Sequence, residues 1–296
     1  MTAPAEVKGR AGRSRGPLIS RWGTLAFPLL VFLTVAFLLP MLLMVIRSFT
    51  DPPDAGLANY QTFFASDANI RVLGNTFYIA TVCTIVCLVV GYPYAYLMAI
   101  VPQRVAGLLL IAVLVPFWSS LLVRTFAWEV ILRDTGLINN VLRGLGIISE
   151  PLPLIRNTFS VILGMSQILL PFMVLPLYTV MQRIDPELTR AAANLGAPPF
   201  AAFRRVFVPL SFPGVAAGAL LVFVLALGFY ITPTILGSPR ETMISRFIAD
   251  QVQQRLNWGL ATAMAVILMG LTFAVLAIAS RFVKLQDVYG ALGEEA

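Results

Sequence analysis

Few side chains in this sequence could carry covalent chemistry. It has no histidine, the side chain that most readily shuttles protons or binds metals near neutral pH. Cys83 and Cys87 lie one helical turn apart in an apolar run, and with no other soft ligands nearby they read as packing, not as a metal or redox pair. The two lysines, Lys8 and Lys284, stand in no G-x-x-x-x-G-K-[ST] setting, so the sequence offers no Walker A loop for ATP. No nucleophile–base set is evident, and the expectation is a non-enzyme with no catalytic residue, metal or cofactor. What remains is charge in lipid. Arg124 and Glu129 interrupt the run P-F-W-S-S-L-L-V-R-T-F-A-W-E-V-I-L. A charge at the bilayer centre costs about 3 kcal/mol on insertion scales, so each should face protein, water or a partner. Five residues apart, they fall on different faces of a straight helix and should not pair. Arg124 and Trp128 are one turn apart, within reach of a cation–π contact. The stretch reads as a substrate path or outer gate, or, for Arg124 in preference, as a structural anchor near the interface.

The elements that position these residues are membrane helices. The chain is 58% hydrophobic and 12% charged, against about 25% charged in ordinary soluble domains. Runs near 24–46, 75–100, 107–132, 158–182, 214–236 and 258–282 are each long enough to cross the hydrocarbon layer. The expected fold is all-α, a polytopic bundle of six transmembrane helices. Its parts are a disordered basic tail over 1–22, a six-helix membrane domain over 23–284 and a C-terminal tail over 285–296. The first run is too long for a signal peptide's apolar region and lacks a small-residue cleavage site, so it reads as a retained helix. Lys8, Arg10, Arg13, Arg15 and Arg21 crowd the residues before it. In a short tail beside a span this is a topology signal, with no nucleic-acid role, and it places both termini in the cytoplasm.

Between the fourth and fifth runs lies the polar interval 185–213, D-P-E-L-T-R-A-A-A-N-L-G-A-P-P-F-A-A-F-R-R-V-F-V-P-L-S-F-P. Asp185 suits an N-cap and Pro186 the first helical position. Leu188, Ala191, Ala192 and Leu195 share one face, and Gly196 can take the positive φ that ends a helix. A second helix follows, with Phe200, Phe203 and Phe207 on one side, and Pro209 and Pro213 are expected to close it. This helix–elbow–helix resembles the EAA loop of ABC-importer permeases, through Ala191, Ala192, Leu195, Gly196, Ala197, Phe203, Val206, Pro209 and Leu210. Arg190 stands where that family has Glu. The resemblance implies docking into a cleft on an ABC ATPase subunit by Glu187, Arg190, Ala191, Ala192, Leu195, Gly196, Ala197, Phe203, Phe207 and Pro209, with Phe203 and Phe207 as apolar anchors.

A second resemblance, over about 75–282, is to permeases of spermidine/putrescine importers. It runs through the third span and D-T-G-L-I-N-N-V-L-R-G-L-G, then Leu170-Pro171-Phe172-Met173-Val174-Leu175-Pro176-Leu177-Tyr178, then Pro233, Ile235-Leu236-Gly237, Pro239, Met243-Ile244 and Trp258. It implies a family-like core of about 71–282, a second and different permease subunit, two ATPase copies, a periplasmic solute-binding protein, and a polyamine or related amine as solute. Trp118, Arg124, Trp128, Glu129, Gln167, Tyr178, Tyr230 and Thr232 are the expected substrate path. Relatives often carry acids where this chain has Phe229 and Thr234, so a non-polyamine solute stays open. Tyr92, Tyr94 and Tyr96 could line a polar path or form an aromatic belt. Residues 241–256 read as an amphipathic helix, lying on the membrane or meeting the binding protein. A secondary transporter or channel without an ATPase is the competing class.

Overall fold

The computed structural model describes residues 21–51 and 56–293, with side chains over 27–51 and 56–281. The basic tail lies outside the described residues up to position 20. The chain divides into two units, 1–46 and 47–296. The first contains most of α1 (Arg21–Thr50), one unbroken helix despite Pro28 and Pro40.

The second unit is built on three helices: α3 (Asp67–Ile100), α7 (Thr158–Met181) and α10 (Val208–Leu227). They pack on one another more extensively than any other elements. Small residues let the backbones approach. A Cβ on Gly218 of α10 would sit 2.9 Å from Met173 Sδ and 3.1 Å from the Met173 carbonyl. In lipid, where apolar surface alone gives little drive to associate, such close van der Waals fit holds helices together. The core at this junction comprises Ile79, Cys83, Cys87, Met173, Val174, Leu177 and Val222, all buried.

The third apolar run is not one straight helix. It forms α4 (Gln103–Leu114), a 3-10 turn at Val115–Trp118, α5 (Leu121–Leu132) and α6 (Leu137–Gly144), and the two halves meet at 95°. Pro116 lacks an N–H, and Ser119 and Ser120 are extended, with ψ of 148° and 139°. Among the described residues, five continuous helices are thus long and apolar enough to cross a membrane, six if the bent pair is counted as one span. The fifth span also departs from 214–236. It runs over Pro199–Leu227 and breaks at Gly228, and α11 (Ile231–Leu236) restarts as a separate turn.

At the end of the bundle that holds the 133–157 and 228–257 connections, α2 (Ala58–Ala65) and α12 (Ile244–Gln253) pack on α13 (Trp258–Gly293). The apolar stripe of α12 is turned inward. Ile244 joins Phe63, Leu260 and Met264, with Phe247 and Ile248 alongside, so those side chains serve this core and not a membrane surface. The Ile244 N–H donates to Thr76 Oγ1 at 2.8 Å, and Asn75 Nδ2 donates to the carbonyls of Arg240 and Thr242, both at 3.1 Å. α13 continues as helix through the segment expected to be a C-terminal tail, as far as Gly293.

Candidate functional site

At the other end of the bundle, α8 (Pro186–Asn194) begins where α7 stops. Asp185 Oδ1 accepts the Glu187 N–H at 2.9 Å, satisfying one of the donors a helix start leaves open. Gly196 adopts φ 87°, and the Ala197 N–H closes the turn on the Ala192 carbonyl at 3.0 Å. α9 (Pro199–Ala202) then runs into a five-residue π turn, Phe203–Phe207, and on into α10. Pro209 and Pro213 therefore do not close the second helix. Pro209 falls at the start of α10, beside the wide π turn, where its missing N–H is tolerated, and Pro213 is carried inside the helix.

The faces of this elbow also differ from the sequence reading. Phe203 and Phe207 do not point outward as anchors. They stack at 5.7 Å and meet the Tyr96 ring edge-on, at 5.2 and 5.0 Å, and Phe207 is buried. The apolar side chains left in the open are Leu195, 90% exposed, and Phe200, 73% exposed, with Leu188 beside them. Around them Arg183, Arg190, Arg204 and Arg205 are exposed. Arg190 is ion-paired with Glu187 on the same helix, and each side chain is 69% exposed. Ala191 is exposed, and Ala192 and Ala197 are half-exposed. Beneath the elbow lies a pocket of about 310 Å³, bounded by Tyr96 and Ala99 of α3, by Thr189 and Ala193 of α8, and by Phe203.

Each of the three tyrosines is held by a partner within the chain. Tyr94 donates to the Leu109 carbonyl at 2.8 Å, Tyr92 bonds Ser211 at 2.8 Å, and Tyr96 joins the ring cluster. Spacing on α3 placed them on one stretch, but their partners 15 and 119 residues away had no local signal.

The expected substrate-path residues are not gathered into one site. Trp118 is 79% exposed at the break, while Trp128 and Tyr178 pack against the core. Thr232 is fully buried and engaged with Thr125, Oγ1 to Oγ1 at 3.3 Å, so it faces a helix contact between α5 and α11 and not an open route. Tyr230 is partly exposed at the start of α11. Glu129 is not a lone charge, because Arg133 Nη2 donates to it at 2.6 Å. The cation–π contact found among the described residues joins Arg47 to Trp258, at 5.8 Å, and not Arg124 to Trp128. Arg124 Nε and Nη1 and Gln167 Oε1 are buried without a hydrogen-bond partner among the described residues. Along the helix axes, Arg124 lies roughly 12 Å from the end of α5 and Gln167 roughly 14 Å from the start of α7.

Above them, a turn missed by sequence reasoning ties the connections together. Glu241, buried, accepts the Ser238 N–H at 2.9 Å, the Ser238 hydroxyl, and the Thr158 hydroxyl at 3.1 Å. Burial alone would raise its pKa, but the bonds from Ser238 and Thr158 outweigh it and hold the carboxyl below the usual range. The S-P-R-E spacing of a capping box was the available signal. Arg156, at φ 57°, borders two pockets here, one of about 640 Å³ with Glu129, Arg133 and Asp134, the other of about 450 Å³ with Arg246 and Asp250.

Residues 89–286, which include the whole elbow, match the family described as binding-protein-dependent transport system inner membrane component. The chain belongs to this family. Among relatives of this permease family, the chain is 35% identical to the spermidine/putrescine transport system permease protein PotB of Escherichia coli (strain K12), over 86% of this chain and 95% of that one. It is 34% identical to the protein of the same name from Haemophilus influenzae, over 71% and 73%. Its fold matches a chain in the crystal structure of a bacterial alginate ABC transporter in complex with an alginate pentasaccharide-bound periplasmic protein, with TM-score 0.69, 18% identity, and 86% and 91% of the two chains covered. The protein is therefore an all-α, multi-pass inner-membrane permease of the ABC-importer type, a transporter component and not an enzyme.

Proposed function

We propose that this permease imports a small organic solute, a polyamine or related amine, with energy from ABC ATPase subunits that dock on the elbow 185–213. Support comes from the likeness to spermidine/putrescine permeases over most of the chain. The observation that carries the docking reading is the elbow tip. Leu195 and Phe200 stand nearly free in solvent on either side of the Gly196 turn, on an elbow that also exposes Arg183, Arg190, Arg204 and Arg205, as a plug for an apolar cleft with an acidic rim would. In this reading the elbow, both termini and Arg104 face the cytoplasm, and the two Arg156 pockets face a periplasmic solute-binding protein. A second, different permease completes the route. Binding of substrate and nucleotide biases two conformations of the bundle, and no covalent step occurs in this chain.

A photo-crosslinker at Leu195 tests the reading in membranes that hold the whole complex. It is expected to capture a nucleotide-hydrolysing subunit. Labelling of Leu195→Cys from the periplasm, or import with no captured partner, would refute it. A different solute class is favoured by one observation: Arg124 presents buried unmet donors, which suit an oxygen-bearing solute better than a polycation. Ligand identification on the cognate binding protein separates the two.

A further inference from the structure

We propose that Tyr92 and Tyr96 of α3 form the joint through which movement of the elbow enters the membrane core, an inference that rests on the docking role above. The two flanks of the elbow are tied to core helices through the chain itself, since the short turn 182–185 joins α8 to α7 and α9 runs through the π turn into α10. α3 has no such covalent link and meets the elbow through side chains. The Tyr96 ring contacts Phe203 and Phe207 at interplanar angles of 72° and 80°, and Tyr92 contacts Phe203 at 83°. Edge-to-face rings of this kind resist both sliding and separation. Ser211 Oγ donates to the Val208 carbonyl at 2.9 Å, so the Tyr92 hydroxyl is the donor in its 2.8 Å bond to Ser211. That bond fastens α3 to α10 one turn beyond the ring cluster.

The elbow side of this joint can yield. A π turn holds one more residue per turn than an α-helix, and Phe203–Phe207 lies between the exposed tip and α10. Returning that residue to α geometry would turn the tip about the α10 axis by roughly 100° and shift it by about 1.5 Å. The pocket of about 310 Å³ between Thr189 and Ala193 on one side and Tyr96 and Ala99 on the other leaves room for α8 to close. A docked partner that presses α8 inward would spend its push on Tyr96, and α3 would move with it.

The test uses variants on α3 only, away from the exposed tip, in the complete complex with its ATPase subunits in proteoliposomes. ATP hydrolysis, solute uptake and Leu195 crosslinking are measured on the same preparation. Tyr96→Leu removes the ring pairs, Ala99→Phe fills the pocket, and Tyr92→Phe removes one hydrogen bond with the ring kept. Crosslinking and hydrolysis are expected to persist in all three. Uptake per ATP should fall about tenfold in Tyr96→Leu and Ala99→Phe, about threefold in Tyr92→Phe, and recover in Tyr96→Phe. The inference is overturned if uptake and hydrolysis fall in proportion, or if all three variants stay coupled while crosslinking persists. Should Tyr96→Leu fail to fold, Tyr92→Phe decides by the same ratio. Absent crosslinking in the unsubstituted protein would instead defeat the docking role itself.

Discussion

Replacing Gly196 by valine isolates the contribution of the elbow's bend. Gly196 holds φ 87°, and no atom lies within 4 Å of where a Cβ would be placed. An added Cβ therefore meets no neighbour, and the main penalty is backbone strain. An L-residue in the left-handed region costs about 1–2 kcal/mol, with valine, stiff at χ1, at the upper end. That corresponds to a factor of about 5–30 in the ratio of bent to unbent elbow, and so to at most that factor in whatever depends on the bend. Because Leu195 and Phe200 flank the bend, any competing conformation separates them. Crosslinking yield from position 195 to the ATPase, together with uptake in proteoliposomes, should fall by up to that factor in Gly196→Val while the amount of inserted protein holds. Gly196→Asn should recover most of it, since asparagine visits this region readily. If Val and Asn behave alike, or if Val leaves capture and uptake unchanged, the bend is not what presents the tip.

Further expectations concern the membrane core and the opposite connections. Arg124→Met removes two buried donors that lack acceptors, so the unfolding midpoint in detergent should rise by a few degrees, reflecting about 1–3 kcal/mol, and a fall would mean that the guanidinium is satisfied in the assembled protein. Gly218→Val should lower that midpoint, because the added carbons would meet Met173 Sδ and a main-chain carbonyl that cannot step aside; overpacking of this kind costs about 1–3 kcal/mol. Glu241 has a carboxyl pKa below its unfolded value. Its contribution is thus fully present above the ordinary glutamate value of about 4.3 and is lost as pH falls through the lower folded value. Glu241→Gln should flatten the acid limb of a thermal-stability profile below the ordinary glutamate range, and an unchanged limb would remove Glu241 from the account. Glu129→Gln should weaken uptake of a cationic solute; because Arg133 already neutralises the carboxylate in a partly exposed pair worth about 0.2–1 kcal/mol, the loss should be no more than fivefold.

Much of this architecture was legible because it is written locally. The Asp185-Pro186 start and the Gly196 stop each act through their own backbone and are found where the residues called for them, and the apolar runs recur as helices, although the third is bent and the fifth is shifted to 199–227. The errors arose where a local rule met distant packing. Pro209 and Pro213 look like stops, yet the π turn ahead of them and the surrounding helices keep α10 continuous. Phe203 and Phe207 looked like an outward face, and only the arrival of Tyr96 from a helix more than 100 residues earlier shows which way they turn. Hydropathy marked the third span correctly as apolar, but it does not register a two-residue break at Ser119-Ser120. The substrate path was the least legible part. Polar side chains such as Thr232 and Glu129 find partners within the chain, at Thr125 and Arg133, which spacing alone could not distinguish from groups awaiting a solute.

The right-angled third crossing bears on biogenesis. At its corner the Pro116 carbonyl accepts both the Ser119 N–H and the Ser119 hydroxyl, but Ser119 and Ser120 stay exposed, and polar groups of this kind are costly to leave facing hydrocarbon. Shelter arrives only later in synthesis, when Phe172 of α7 sets its ring against Phe117 at 5.6 Å. A nascent chain released before residue 172 should therefore be unable to retain this crossing in the bilayer, whereas one extended through α7 should hold it fast.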